Sequence, residues 1–469
     1  MQVGLAPTGR LASNAELDNL RAFRGESRQA YWRPKPRIRK GVRVDKLIAL
    51  PIKGESFLLR RGGKAVLVDG GYNSRDLASA LKTHAADLKR IDIVVCTHAD
   101  RDHAGGLSDL IRASGLSVGE FWLPGSWANS IPELITEPKA AIKGLVSELD
   151  QLPWPLQHSN GDAEDIVKIF EARAVEEKEK NARHRERAWS ETIREVEQDP
   201  SNGSWGTSLA ELREAFTNNG RIPPRAFEEW VRHTGRDAFE WGRRQIRHRQ
   251  SRYAISSDVA SYWLELIHAA QIIHAIAAQA LVYGVRVRWF DYGTFASSRI
   301  AKGGDSGFLE PLNSVELPPP PPQMLSYLAR LSPVNEECLA FLAPPLDDEG
   351  LGVVFCGDSP LGDGPKYANS FLTQKQLSSD FPVVATAPHH GSEQNQPAYR
   401  HLKSWANVWL WLRSGGSKKQ PGLTYKALPS SDRACTHCPQ IGLTLREASI
   451  HLSRRHPCLR VSSHDCVCV

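Results

Sequence analysis

The stretch Ile91-Asp92-Ile93-Val94-Val95-Cys96-Thr97-His98-Ala99-Asp100-Arg101-Asp102-His103-Ala104-Gly105-Gly106 decides the fold. Its first part is a short apolar run rich in β-branched residues, the pattern of a buried strand. The run ends in two imidazoles and two carboxylates within six residues, so four metal-ligand side chains share one turn at a sheet edge. Imidazole nitrogen with carboxylate oxygen suits zinc and also holds manganese or iron. His98 and Asp100 alternate and so can face one ion, while the adjacent Asp102 and His103 turn toward a second. Two ions about 3.5–4 Å apart clamp the attacking and leaving oxygens of a displacement. Gly105 and Gly106 let the backbone pass close to the ions and begin a helix. The bland alternative is a polar turn with a capping Asp and surface histidines, and the surrounding sequence argues against it.

Upstream, Val44, Leu47, Ile48 and Leu50 supply a first strand, residues 54–60 a second and residues 64–71 a third, separated by glycine turns. Residues 74–89 read as a helix with Leu77, Leu81 and Leu88 on one stripe and Ser74 as its cap. Strand, helix, strand, ligands is an α/β layer order. Downstream come a helix over residues 107–114 and a strand over 118–124.

From about residue 126 to 282 only helical signals follow: a charged segment at 163–196, an Arg-rich one at 241–252 and an apolar one at 259–282. Arg243, Arg244, Arg247, Arg249 and Arg252 match phosphate oxygens by their forked donors, but a solvated helical face is the preferred reading. His158, His268 and His274 lie here too. His158 alone stands outside a strong helix, and a structural role is preferred for it. Residues 283–290 resume as an alternating strand, and Pro318 to Pro322 form an extended polyproline spacer.

The charge balance of +6 and pI near 8.8 permit an anionic substrate without demanding one. No apolar run reads as long enough to cross a bilayer, and the N-terminus lacks the form of a signal peptide, so the expectation is a cytoplasmic protein without a membrane partner. Residues 1–41 are a polar arm with a basic, proline-broken run at 33–40, read as solvated. Of the 8 cysteines, Cys96, Cys338 and Cys356 sit in apolar strands, and the other five crowd between Cys435 and Cys468. Such clustering favours a local metal knuckle over a secreted disulfide framework.

The metal turn resembles the His-x-His-x-Asp-His signature of metallo-β-lactamase fold hydrolases, with Asp100 in place of the second His. That variant resembles the C-terminal hydrolase domain of ComEC-type DNA-uptake proteins and related phosphodiesterases, and departs from true β-lactamases. Three further elements follow in the order the resemblance requires. Residues 335–342 are similar to an Asn-x-x-Ser-Leu strand, with Cys338 at the Ser position. Residues 352–358 are a buried strand ending in Gly357-Asp358, and residues 382–392 end in His389-His390-Gly391-Ser392. The resemblance implies that Asp69, closing the third strand, braces the loop by hydrogen bonds. It implies that Asp358 bridges two ions, and that one of His389 and His390 binds metal while the other reaches a phosphoryl oxygen or leaving group. After the last core strand, over residues 408–412, Gln420-Pro421-Gly422 stands where the family carries a His-rich proline motif.

The expected fold is therefore an α/β metallo-β-lactamase αββα sandwich, built from residues 42–125 and 283–415. A large helical insertion occupies 126–282, and a small Cys/His-rich tail 416–469. The metal ligands are His98, Asp100, Asp102, His103, Asp358, His389 and His390, with Asp102, His390 and Asp69 as the catalytic group and two divalent ions, zinc or manganese, as cofactors. In the tail, Cys435, Cys438, His451 and His456 have the spacing of a two-Cys, two-His structural zinc site, and Cys458, His464, Cys466 and Cys468 permit other sets. The expected activity is phosphodiester hydrolysis by a metal-bound hydroxide, with nucleic acid as the favoured substrate. Alternatives are a small phosphodiester or lactone with the insertion as a lid, or a binding module with a vestigial site.

Overall fold

The computed structural model describes residues 45–158, 167–178, 224–253, 255–317, 325–332, 334–373, 381–416, 419–438, 445–453 and 459–461, with Cys466 and Cys468. The N-terminal arm, the polyproline run, most of the charged segment at 163–196, and His456, Cys458 and His464 lie outside these residues.

Two sheets carry the fold. In the first, β1 (Lys46–Ala49), β2 (Phe57–Arg61) and β3 (Lys64–Val68) run antiparallel, and β4 (Arg90–Val95), β5 (Ser117–Pro124) and β6 (Arg286–Asp291) continue from β3 in parallel. The short strand β8 (Val315–Leu317) closes one edge against β6. At the other edge, β16 (Ala448–His451) pairs with β1 and β17 (Leu459–Val461) with β16. The second sheet has the order β15 (Arg433–Cys435), β14 (Val408–Arg413), β13 (Val383–Thr386), β10 (Gly352–Phe355), β9 (Phe341–Ala343), β7 (Glu310–Pro311). A two-stranded ribbon, β11 (Gly362–Asp363) with β12 (Asn369–Ser370), completes the strands.

Side-chain alternation explains the layers. Val66, Val68, Ile93 and Val95 face Phe341, Phe355, Val384 and Leu412 across the sandwich, whereas Ala65, Leu67 and Val94 face helices on the outer side. Leu342, Val354, Ala385 and Trp411 turn outward from the second sheet onto Tyr399, Leu402 and Trp405 of the helix Gln396–Trp405. Helices thus cover both sheets, which is why these strands read as unbroken apolar runs. Arg61 ties the sheets together: buried on β2, its guanidinium donates to the carbonyls of Ala343, Pro344 and Leu351 at 2.9, 2.7 and 2.6 Å.

On the outer face of the first sheet lie α1 (Ser74–His84), α2 (Arg101–Ala104), α3 (Leu110–Ser114), α4 (Pro138–Asp150), α5 (Pro224–Arg252) and α6 (Ser257–Tyr283). The cap of α1 is Asn73 and not Ser74, because the Asn73 side chain accepts from Asp76 N at 2.9 Å, and the helix stops at His84. Residues 335–337 form a 3-10 turn where a strand was expected, the strand beginning only at Phe341. By length and composition α6 is apolar enough to cross a membrane, contrary to the sequence expectation, yet 72% of its most apolar window is buried in the protein. It is a core helix, and Gln279 anchors it by donating to Leu107 O at 2.8 Å and accepting from Ile111 N at 3.1 Å.

Candidate metal centre

The loop between β4 and α2 is held from three sides. Asp69 takes a left-handed backbone, φ 58°, which turns its carboxylate under the loop. Its Oδ1 accepts from Thr97 N at 2.8 Å, and its Oδ2 accepts from Thr97 Oγ1 at 2.7 Å and faces His103 Nδ1 at 2.8 Å. Backbone bonds Gly70 N to His103 O, 2.6 Å, and Glu55 N to Asp102 O, 2.7 Å, close the loop onto the β-strand side. Gly106 is required by space, since a Cβ there would stand 1.9 Å from Gly70 O.

The second half of the chain brings its donors to the same place. Asp358 follows β10, and its carbonyl accepts from Asn395 Nδ2 at 2.8 Å. His389 and His390 follow β13 in the left-handed region, φ 46° and 53°, a strained conformation for non-glycine residues of the kind that gathers at functional sites. The turn aims their rings in different directions. His390 Nδ1 meets Ser414 O at 2.9 Å, and its Nε2 stands 3.2 Å from His103 Nε2 and 3.1 Å from Asp102 Oδ2. His389 Nδ1 lies 3.2 Å from Asn395 Oδ1, while its Nε2 is 3.5 Å from Asp358 Oδ2.

Two donor groups result, sharing Asp358. Asp358 Oδ1 is 3.0 Å from His103 Nε2, in the group with Asp102 and His390. Its Oδ2 is 3.7 Å from His98 Nε2, which stands 3.6 Å from Asp100 Oδ2. Atoms bound to one ion at about 2.0–2.2 Å stand about 3.0–3.6 Å apart, close to the spacing found here. His98 Nε2 is buried with no hydrogen-bond partner. The facing Nε2 atoms of His103 and His390 would set lone pair against lone pair unless a proton or cation lies between them. In His103 and His390 the Nδ1 side is occupied by an oxygen partner, the arrangement that fixes a ligand tautomer. The donor set therefore fits divalent ions.

Electrostatics agree. Burial alone would depress the His103 imidazole, but the charge of Asp358, 3.0 Å from its Nε2, and the Asp69 carboxylate at its Nδ1 hold its pKa well above the ordinary value. Burial would raise Asp102, but hydrogen bonding with His390 and the neighbouring imidazoles hold it below the carboxylate range.

Some site residues carry no motif. Glu55, buried with its Oε2 3.4 Å from His390 Nδ1, has its pKa pushed up to about 7 by burial. Cys338 accepts from Asp358 N at 3.0 Å through its sulfur and lies 3.5 Å from His98 Nδ1, so it positions both donor groups. A charge set between Gly54 and apolar β2, and a thiol at the family's Ser position, were the available signals.

The insertion reaches the mouth of the site through helical residues 167–178. Lys178 Nζ bonds Glu337 at 2.8 and 2.9 Å, and Glu177 accepts from Ser326 N and Oγ, both at 2.6 Å. Glu171 is pushed up to about 7 by burial and then by the charges of Glu336 and Asp100. His158 lies elsewhere, bonded to the carbonyls of Trp154 and Tyr253. In the Arg-rich cluster, Arg249 is forked onto Asp150 at 2.6 and 2.7 Å and Arg243 bonds Gln271 at 2.7 Å, so two of its members are engaged within the protein.

In the tail, Cys435 and Cys438 meet Cys466 and Cys468, with sulfurs 3.3–3.7 Å apart and none in a disulfide. His451 is instead on β16, paired with Lys46 in the first sheet, because the chain leaves the second sheet after Cys438. Among the described residues, the donors brought together are thus four thiols, without His451; His456 lies outside those residues.

An αββα sandwich with paired His/Asp donor groups at one edge defines a metal-dependent hydrolase architecture. Residues 51–152 match the family model of the metallo-beta-lactamase superfamily. The matched stretch contains Asp69 and the loop from His98 to His103, while Asp358, His389 and His390 lie beyond it. Among curated proteins, none matches the chain.

Proposed function

We propose that this protein is a phosphodiesterase that works with two divalent ions. The observation that carries this reading is the division of the Asp358 carboxylate, Oδ1 toward His103 at 3.0 Å and Oδ2 toward His98 and His389 at 3.7 and 3.5 Å. In this reading His98, Asp100 and Asp358 hold one ion, and Asp102, His103, His390 and Asp358 the other. Bound there, the ions supply Lewis acidity to a phosphoryl oxygen and lower the pKa of water. Asp69 and the Ser414 carbonyl keep the Nε2 atoms of His103 and His390 turned inward. His390 is buried, whereas His389 has a side chain 22% exposed beside Asp358. His389 is therefore the imidazole within reach of a substrate oxygen or leaving group.

The ComEC-type motif order supports nucleic acid as substrate. The carboxylates of Glu171 and Glu336 beside the Asp100 side of the centre support a small phosphodiester or a free strand end over a continuous duplex. The deciding experiment is a turnover panel with manganese and with zinc. Its substrates are bis-(p-nitrophenyl) phosphate, cyclic nucleotides, single-stranded DNA, duplex DNA, RNA and a lactone. Phosphodiester turnover that Asp102→Ala abolishes is expected. Turnover of the lactone alone, or activity undiminished in Asp102→Ala, would overturn the assignment. Steeply salt-dependent binding of duplex DNA would overturn the preference for a small substrate.

A further inference from the structure

We infer that Cys435, Cys438, Cys466 and Cys468 form a closed four-sulfur site for one structural zinc ion, which fastens the end of the described chain onto the second sheet and steadies the strand pair beside His390. This inference stands on different residues from the proposed hydrolase centre and does not depend on it.

The four side chains are buried, 1%, 1%, 2% and 6% exposed, in the outer core of the second sheet with Tyr425, Leu428 and Trp411. Their sulfurs stand 3.5 Å apart for Cys435 to Cys468, 3.3 Å for Cys438 to Cys468, and 3.7 Å for Cys466 to both Cys435 and Cys438. Four thiolates at about 2.3 Å from a tetrahedral zinc stand about 3.8 Å apart, close to these values. Tyr425 Oη lies 4.0 Å from Cys466 Sγ and already donates to Ala434 O at 2.9 Å. Among the described residues, four polarizable donors therefore converge with no carboxylate or imidazole in the group. That donor set selects a thiophilic ion, and the absence of an open position marks a structural site.

The path of the chain shows what the ion would hold. Cys435 ends β15, and Cys438 follows three residues later. The chain then crosses to the first sheet as β16 and β17 before Cys466 and Cys468 return to the second. β15 is an edge strand held by parallel pairing to β14, and Thr436 N bonds Arg413 O at 3.2 Å. Arg413 in turn donates from Nε to His390 O at 2.7 Å, and the next residue, Ser414, supplies the carbonyl that meets His390 Nδ1. A clamp on β15 thus supports the strand that positions His390.

The test uses the full chain. An organomercurial titration of the purified protein, followed with a zinc indicator, is expected to release one zinc equivalent as four thiols react. Cobalt substituted into the protein is expected to show sulfur-to-metal charge-transfer absorption of four-thiolate intensity, whereas the ligands proposed for the His/Asp centre include no sulfur. In Cys466→Ser/Cys468→Ser that absorption and one metal equivalent are expected to be lost, while the metals of the His/Asp centre stay. Amide exchange at Thr436 is expected to accelerate. The inference is overturned if no thiolate absorption appears, if the thiol titration releases no zinc, or if non-reducing mass mapping finds these cysteines joined as disulfides. The wild-type measurements decide the matter even if the double variant fails to fold. Loss of activity at the His/Asp centre with the thiolate band intact would count against the proposed function and leave this site standing.

Discussion

Replacing Asp69 by Asn isolates the contribution of one buried carboxylate to the metal centre. The side chain keeps its shape, and Asn tolerates the left-handed backbone at φ 58°. In the native site the two oxygens serve three groups: Thr97 N, Thr97 Oγ1 and His103 Nδ1, at 2.8, 2.7 and 2.8 Å. An amide can keep its oxygen on Thr97 N, but then its NH2 points at the Thr97 hydroxyl and at His103 Nδ1. The hydroxyl can rotate and accept. His103 can accept only by moving its proton to Nε2, the nitrogen that faces Asp358, where it blocks a metal.

The expected cost is that of losing an outer partner of a ligating imidazole, about 10–100-fold in metal affinity, or about 1.4–2.7 kcal/mol. The assay is chelator competition at buffered free zinc or manganese, wild type against Asp69→Asn. Turnover should recover with excess metal, because the ligands remain in place. Affinity unchanged within about twofold would show that Asp69 does not set the His103 tautomer, and the account of how the loop is braced would fail.

Gly106→Ala puts a methyl 1.9 Å from Gly70 O, so the loop must shift by about an ångström; a fall of about 100-fold in turnover is expected in steady-state kinetics. Arg61→Met leaves the carbonyls of Ala343, Pro344 and Leu351 unsatisfied inside the sandwich, and urea unfolding should show a loss of about 3 kcal/mol or more. His274 is buried, and burial lowers its pKa from 6.5 to about 4. Because the folded value lies below the unfolded one, the stability linked to this group is complete above about 6.5 and is lost as pH falls toward 4, by about 3 kcal/mol. His274→Leu should remove that part of the acid slope in urea midpoints measured between pH 7 and 4.5. Since His98, His103 and His390 are all held above their ordinary pKa in the metal-free protein, metal binding displaces protons. Affinity measured by competition should therefore fall as pH is lowered.

The part of the site legible in the sequence is the part that chain continuity writes. Asp69 and the run from His98 to His103 sit at the ends of neighbouring parallel strands, so an apolar run followed at once by polar ligands identifies them. Asp358 and the two histidines could be read because they too end buried strands, and the two halves meet because both sheets put those ends on one edge. Glu55 and Cys338 were not legible in their roles, because their chemistry comes from contacts between distant segments. A Glu in a Gly-Glu-Ser turn looks solvated until His390 arrives across the loop, and Cys338 looks like a small apolar residue until Asp358 N is placed 3.0 Å from its sulfur.

The tail shows the same limit from the other side. Spacing along the chain favoured His451 and His456 as partners of Cys435 and Cys438, because a finger is a local unit whose ligands lie close in sequence. Here the intervening chain adds β16 to the first sheet, and that pairing places His451 beside Lys46, outside the group of four thiols. Local spacing identifies a metal site only where the segment between the ligand pairs has no better partner. This one has the whole edge of β1, which would otherwise expose unpaired backbone groups. Shortening β1's pairing edge by Leu47→Pro should therefore free β16. It should lower protection of Ile450 and Ser449 amides in hydrogen exchange while leaving the four-thiol cluster, which rests on the second sheet, intact. Loss of both together would mean that the tail folds as one unit after all.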